Sequence, residues 1–429
     1  MAARTSQAGW KVVIGSGIGI SFGSLVFMGA GFALLASAWA RQFGWTQPDL
    51  AKAATIFLLI QTAMYPVCGW MLDRWGSRKV ATGSIALFAI SLILLSQIGN
   101  SLAQMYLSFG LVSLVSAGTN VVSYARAIAL WFDRRRGLAL GLAASAQAVG
   151  SFLIPILAQK IIAQSGWSAT LLSLAAVELL VCLPLVTLLV KDSPASDGVQ
   201  LGGAQSAETA RKREAAGMDI RDIIRTATFW KLAGCFAIMG LSLYAIAANI
   251  AFILTETAGM NLADVAMIQA VSGLSVLLGR VGFGYLLDKL QAPVVGILAI
   301  TLAAACFGLY ATTTTQALIF VAAALGGSAV GGETDLMPYL ASRYFGTRAV
   351  SKTFGWFLFA FFVGAAIGPV AFAQLSVACG GAVVPLFTLA AAQLIPAALF
   401  LSLGRYPEAE IEADLISERP TLPAMRSQR

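Results

Sequence analysis

Twelve long apolar stretches, almost free of charge, decide what this chain can fold into. They cover about 12–38, 52–72, 79–97, 102–131, 137–163, 168–190, 228–256, 264–287, 293–313, 316–342, 350–377 and 382–404. A helix of roughly 20 residues crosses the ~30 Å hydrocarbon layer of a bilayer at 1.5 Å per residue. Inside lipid every backbone N–H and C=O must be bonded within the protein, which leaves helices as the form such stretches take. The expected fold is an all-α membrane protein with twelve transmembrane helices. Composition agrees, because only 11% of the 429 residues are charged, against about 25% in a soluble domain. A soluble enzyme is excluded.

The chain has no histidine, so the commonest metal ligand and the ordinary near-neutral acid and base are both missing. Cys68, Cys182, Cys235, Cys306 and Cys379 lie within apolar runs without a C-x-x-C spacing and read as small core residues. No metal, cofactor or catalytic constellation is expected. The first apolar run is too long for a cleavable signal and lacks an A-x-A stop, so it counts as a span.

Charge then orients the spans. Of the 28 Lys and Arg residues, 23 fall on one face, while Arg41, Lys52 and Lys160 fall on the other and Arg126 and Arg280 lie inside spans. The positive-inside rule makes the rich face cytoplasmic and puts both termini there. The net charge of +8 is therefore a topology signal rather than a nucleic-acid footprint. The longest polar interruption, 191–227, holds Lys191 and Arg211-Lys212-Arg213 and divides the spans six and six. The expected organisation is a six-helix bundle over 1–190, a cytoplasmic linker over 191–227 and a second bundle over 228–404. A cytoplasmic tail, 405–429, carries Glu408, Glu410, Glu412 and Asp414.

The halves also repeat. Gly44 and Asp49 recur as Gly259 and Asp264, and Gly69-x-x-x-Asp73-Arg74 recurs as Gly284-x-x-x-Asp288-Lys289, both at an offset of 215. Gly150-x-x-x-x-Pro155 recurs as Gly364-x-x-x-x-Pro369 at 214. A parallel two-fold repeat of six-helix units is one of the architectures of secondary transporters. At these residues the chain resembles the major facilitator superfamily along essentially its whole length. Gly69-Trp-Met-Leu-Asp73-Arg74-Trp-Gly76-Ser-Arg78-Lys79 is similar to that family's signature loop between helices 2 and 3. There Gly69 allows a close helix approach, Asp73 can cap a neighbouring helix, and Arg74, Arg78 and Lys79 would hold the cytoplasmic gate.

Within the superfamily the chain resembles the monocarboxylate-porter and oxalate/formate-exchanger branch. The resembling pieces are Gly9-Trp10 to Gly15, Phe43-Gly44-Trp45, Trp131-Phe132 to Gly141 and Gly279-Arg280-x-x-x-Gly284. The resemblance makes Arg280 the family's helix-8 arginine, which binds the substrate carboxylate. It also marks a departure. Met28 stands where the animal porters carry a coupling lysine, and Val276 stands where they carry an aspartate.

Five charges lie well inside spans, away from the span ends: Arg126, Glu178, Arg280, Glu333 and Asp335. Each is costly in lipid and a functional candidate. Arg280 precedes Asp288 by eight residues, which sets it roughly 12 Å above the membrane edge, and Arg126 and Asp335 have similar depths. Its guanidinium suits a bidentate grip on a carboxylate; the alternative is a structural ion pair with Glu333 or Asp335. Tyr124 and Arg126 point about 200° apart on a regular helix. Asn120 with Tyr124 and Thr119 with Arg126 therefore form two faces, one for the pathway and one for a neighbouring helix.

Glu333 and Asp335 pose the same problem, unless Gly331-Gly332 and Pro338 unwind helix 10 and turn both carboxylates inward. They would then form a gate salt bridge with Arg126 across the halves, carry protons, or stay a static pair. Glu178 reads as an interhelical hydrogen-bonding group, and Asn249 and Tyr244 as cavity-lining candidates. The resulting expectation is a monomeric alternating-access transporter of a small organic anion, a monocarboxylate, in a bacterial inner membrane. Proton-coupled uptake is preferred over anion exchange or efflux of amphipathic compounds. A membrane-embedded enzyme or a sensor would need a nucleophile constellation or an output domain.

Overall fold

The computed structural model describes residues 2–132, 135–194 and 217–403. Asp133 and Arg134, the Arg211-Lys212-Arg213 cluster of the linker and the acidic tail from Glu408 lie outside the described residues. Eleven stretches are long and apolar enough to cross a membrane, and one of them, Arg136–Leu189, is 54 residues long. At 1.5 Å per residue it would measure about 80 Å, more than twice the hydrocarbon layer. It reverses at Gly166, whose φ of 84° lies in the left-handed region that a side chain disfavours. It is therefore two crossings, which gives twelve membrane-crossing helices among the described residues. The protein is a multi-pass membrane protein.

Helix α1 runs over Ala2–Ser21, breaks at Phe22-Gly23 and resumes as Ser24–Val26, a π segment Phe27–Gly31 and Phe32–Phe43. Helices α2 (Gln47–Trp75) and α3 (Ser77–Leu95) follow. Helix α4 is Leu102–Ser116, a 3₁₀ turn Ala117–Thr119 and Val121–Trp131. Helices α5 (136–165) and α6 (167–189) flank Gly166, and α6 contains a π segment, Glu178–Cys182. The second half comprises α7 (Ala227–Ala258), α8 (Leu262–Leu287), α9 (Ala292–Thr312), α10 (Gln316–Phe345) and α11 (Val350–Cys379). Helix α12 is Val383–Ala392 and Leu394–Leu401, interrupted at Gln393.

The repeat extends into the caps. Thr46 forms a capping box with Asp49 at the start of α2, and 215 positions later Asn261 accepts the amides of Ala263 and Asp264 at the start of α8. Both side chains satisfy N–H groups that the first turn of a helix cannot pair internally.

Buried apolar side chains form three clusters, and their distribution gives the shape. One cluster takes residues from both halves, with Tyr65, Leu72 and Ile128 meeting Phe283, Leu336 and Phe357, near the basic loops. Toward the opposite ends each half has its own cluster: Phe27, Trp39 and Phe109 in the first half, Ile253, Phe307 and Leu386 in the second. The halves are packed together at the basic face and have separate cores away from it.

Candidate functional site

The basic-face junction is built twice, once on each side of the pseudo-two-fold axis. Where α2 meets α11, a Cβ on Gly69 would stand 2.3 Å from the Ser351 carbonyl oxygen. Where α5 meets α8, a Cβ on Gly137 would stand 2.3 Å from that of Gly284. Only glycine permits such backbone contact. Beside each contact an aspartate crosses between the halves. Asp73 Oδ1 and Oδ2 accept the Ser351 and Lys352 amides at 3.3 and 3.0 Å, capping α11. Asp288 Oδ1 and Oδ2 accept the Gly137 and Leu138 amides at 2.7 and 2.9 Å, capping α5. A carboxylate on the exposed amides at a helix N-terminus is favoured by both hydrogen bonding and the helix dipole.

Arg126 joins the first of these sites. Its Nε lies 3.5 Å from Asp73 Oδ1, so the α4 arginine supports the α2–α11 junction. The expected bridge from Arg126 to Asp335 or Glu333 is thereby corrected: each arginine pairs with an aspartate of its own half. Arg74 is the next residue on α2. Its guanidinium stacks on the Trp70 ring, 5.3 Å from the centroid, one turn back on the same helix. Arg78 contributes its backbone amide, which donates to Asp192 at 2.9 Å.

One level further into the membrane lies a polar cluster built around Arg280. Its Nη1 is 3.5 Å from Asp335 Oδ1 on α10, and its Nη2 donates to Gln147 Oε1 on α5 at 3.3 Å. Arg280 therefore touches both halves. Its side chain is 10% exposed and that of Asp335 2%, yet Arg280 Nη1 and Asp335 Oδ2 have no hydrogen-bond partner among the described residues. A well-formed guanidinium–carboxylate fork has N···O distances of about 2.7–2.9 Å, so this pair is loose and leaves donor capacity on the cation. The mirror position of Arg280 is Tyr65, which stacks on Phe362 at 5.3 Å. Arg280–Gln147 and Tyr65–Phe362 are related by the same offset of 215, one polar and one apolar. The symmetry is broken at the site.

Glu333 is not part of this cluster. Helix α10 is continuous through Gly331-Gly332, so the expected unwinding does not occur. A Cβ on Gly331 would lie 2.6 Å from the Arg280 nitrogen, and one on Gly332 2.6 Å from the Phe283 ring; the glycines serve close packing against α8. With the helix intact, Asp335 turns to Arg280 while Glu333 faces the other way. It lines a cavity of about 360 Å³ in the second half, with walls on α7, α8, α9, α10 and α12. Ser242, Gln269, Val276, Tyr310 and Gln393 are also in its wall.

The α4 residues face their neighbours. At the break in α4, Asn120 Oδ1 accepts the Leu25 amide at 3.4 Å and Nδ2 donates to Ser24 Oγ at 3.2 Å, tying it to the break in α1. Tyr124 is fully buried, and a Cβ on Gly19 of α1 would overlap its hydroxyl. Both residues of that face therefore meet α1. Asn249 Nδ2 donates to Ala245 O at 2.9 Å and Pro369 O at 3.4 Å, linking α7 to α11. Glu178 is buried in the π segment of α6 beside Tyr124 and Cys182. Gln147, the cavity and Gln393 had no signal in the sequence beyond the repeat offset of 215, which sets Gln393 opposite Glu178.

With this geometry in place, a family model described as the Major Facilitator Superfamily matches residues 17–369. The chain belongs to the major facilitator superfamily. Members of this superfamily are transporters, and this chain is one, not an enzyme. Among curated proteins, MFS transporter asaE of Aspergillus flavus is 26% identical over 329 residues, covering 74% of this chain and 69% of that protein. Monocarboxylate transporter 11 of Mus musculus is 32% identical over 184 residues, 41% of this chain and 39% of that one. Among solved structures, the human organic anion transporter MFSD10 aligns with a TM-score of 0.70 at 15% identity, over 91% of this chain and 99% of that one. At that identity the likeness is one of fold.

Proposed function

We propose that this superfamily transporter moves a small organic anion, a monocarboxylate, by alternating access, with Arg280 as the cationic anchor and a proton travelling with the anion. The observation that carries the reading is the loose, interface-spanning cation: Arg280 is buried between the halves, 3.5 Å from Asp335, with Nη1 lacking a hydrogen bond among the described residues. A carboxylate entering there gains two short charge-assisted bonds where Asp335 offers a long contact. Protonation of Asp335 would release the guanidinium, which makes proton and anion natural co-passengers. The monocarboxylate transporter among its relatives supports the same substrate chemistry. The positive-inside reading makes the packed basic face cytoplasmic, in a bacterial inner membrane, so this conformation opens outward.

Thermal stabilisation of the purified protein by carboxylates of graded size tests the anchor. Wild type should be stabilised by at least one acid, with Arg280→Ala lowering its affinity on the order of 30-fold or more, from ~2 kcal/mol or more per lost charged hydrogen bond. Removing Arg280 alone leaves Asp335 as an unpaired buried charge, so the Arg280→Ala/Asp335→Asn double variant is the matched control. Equal stabilisation of wild type and both variants would overturn the assignment. An efflux pump for uncharged amphipathic compounds would behave that way.

A further inference from the structure

The cavity of about 360 Å³ in the second half is polar at one end and mostly apolar beyond it. Helix α7 starts at the basic face and α10 ends there. On α7 the wall runs from Met239 and Ser242 to Ile250, and on α10 from Ala323 to Glu333, so Ser242 and Glu333 share the end nearer the basic face. Gln393, at the break half-way along α12, stands at a similar depth. From Glu333 back to Ala323 the wall extends about 15 Å at 1.5 Å per residue, past Ile246, Ile250 and Phe307. At roughly 30 Å³ per water in the liquid, the volume corresponds to about twelve waters, room for an organic molecule rather than a bare ion. Gln393 and Ser242, each 1% exposed, present amide and hydroxyl atoms with no hydrogen-bond partner among the described residues. Glu333, 3% exposed, makes no hydrogen bond or ion pair among them either. Buried polar groups in this state are costly unless a ligand completes them.

No lysine or arginine is among the lining residues, so a carboxylate in this cavity would meet Glu333 without a counter-charge. Arg280 is not part of the wall and contacts Asp335 and Gln147 instead. An alcohol would leave the Glu333 charge equally uncompensated. We infer that the cavity binds a primary ammonium ion carrying an elongated apolar body, with the head on Glu333 at the polar end and the body running toward the opposite face. An ammonium group has three N–H donors and no acceptor. The Glu333 carboxylate, the Gln393 amide oxygen and the Ser242 hydroxyl are three acceptors at that end of the cavity. The bond to the carboxylate is charge-assisted and the strongest of the three. A protonated Glu333 meeting the free amine passes it one proton and gives the same pair, so the pairing does not require a carboxylate ionised beforehand. The site lies wholly within the second half and apart from the anion anchor, so it stands independently of the anion-transport proposal.

The test uses octylammonium, propylammonium and octan-1-ol, added to the full-length protein in nanodiscs of zwitterionic lipid. Apparent affinities are read from the concentration dependence of thermal stabilisation. Octylammonium should bind at least about tenfold more tightly than octan-1-ol, because of its charge, and than propylammonium, because of its longer buried chain. Glu333→Gln keeps the shape of the side chain and removes its charge, and should bring octylammonium down to the affinity of octan-1-ol. Gly273→Leu, at a lining position, obstructs the cavity without a backbone clash, because an added Cβ there meets nothing within 4 Å. It should weaken both eight-carbon ligands about tenfold. Equal affinity for octylammonium and octan-1-ol in wild type, or an ammonium preference that survives Glu333→Gln, would overturn the inference. Indifference of both eight-carbon ligands to Gly273→Leu would overturn it as well, since they would then be bound elsewhere.

Discussion

Arg280 and Asp335 matter because they form a weak pair in a place where weak pairs are expensive. Each charge has lost most of its water, and at 3.5 Å neither regains much of it through the other. An anion or a proton arriving at this layer therefore meets a partner already prepared to exchange. The direction of the pH effect follows. On the proposed reading, a neutral Asp335 frees the guanidinium, so acid should raise uptake of the anion. Asp335→Asn holds the residue neutral at every pH, so uptake measured across external pH 5–8 should lose most of its acid stimulation while Arg280 still binds the substrate. An unchanged pH profile in that variant would separate Asp335 from coupling. Glu333→Gln should leave the profile as it is in wild type, since Glu333 faces the cavity rather than the cation.

At the scale of elements, the junction between halves rests on backbone contacts that admit no side chain. A Cβ on Gly284 would stand 2.6 Å from the Gly137 carbonyl, so Gly284→Val overpacks the α5–α8 contact by about 1–3 kcal/mol. The packed arrangement should then give way to its alternative by roughly tenfold or more. Reactivity of Ser351→Cys toward a water-soluble thiol reagent reports this, since Ser351 is 2% exposed and Cys379 is the exposed native thiol to remove. Labelling should rise about tenfold with Gly284→Val; an unchanged rate would mean that the junction does not depend on this contact. Gly69, Asp73, Gly284 and Asp288 were legible in advance because a repeat and a charge at fixed spacing survive any detail of packing. The facing of Tyr124 was not, because α4 leaves regular geometry at Ala117–Asn120 and α1 at Phe22-Gly23, and those breaks follow from how the two helices meet. Gly331-Gly332 shows the same limit from the other side: a glycine pair signals unwinding or close approach equally well, and only the neighbour, α8, decides between them.

For the whole molecule, the sequence carried the spans and the all-helical membrane fold, since these depend on length and composition summed over many residues. The cavity in the second half was invisible, because its wall is assembled from five helices whose relative rotation no periodicity records. One core cluster is shared at the basic face and two separate clusters lie beyond it, the arrangement the proposed alternating-access cycle needs at one of its ends. Arg280, reaching Gln147 of the other half, sits where substrate binding can alter how the halves meet. The most direct measurement is uptake into proteoliposomes of a radiolabelled monocarboxylate chosen by the stabilisation screen, under an imposed inward proton gradient. Wild type should concentrate the acid above its equilibrium level, while Arg280→Ala, folded and correctly inserted, should not. Equal accumulation by the two proteins, or transport of uncharged amphipathic compounds with none of any carboxylate, would contradict the account.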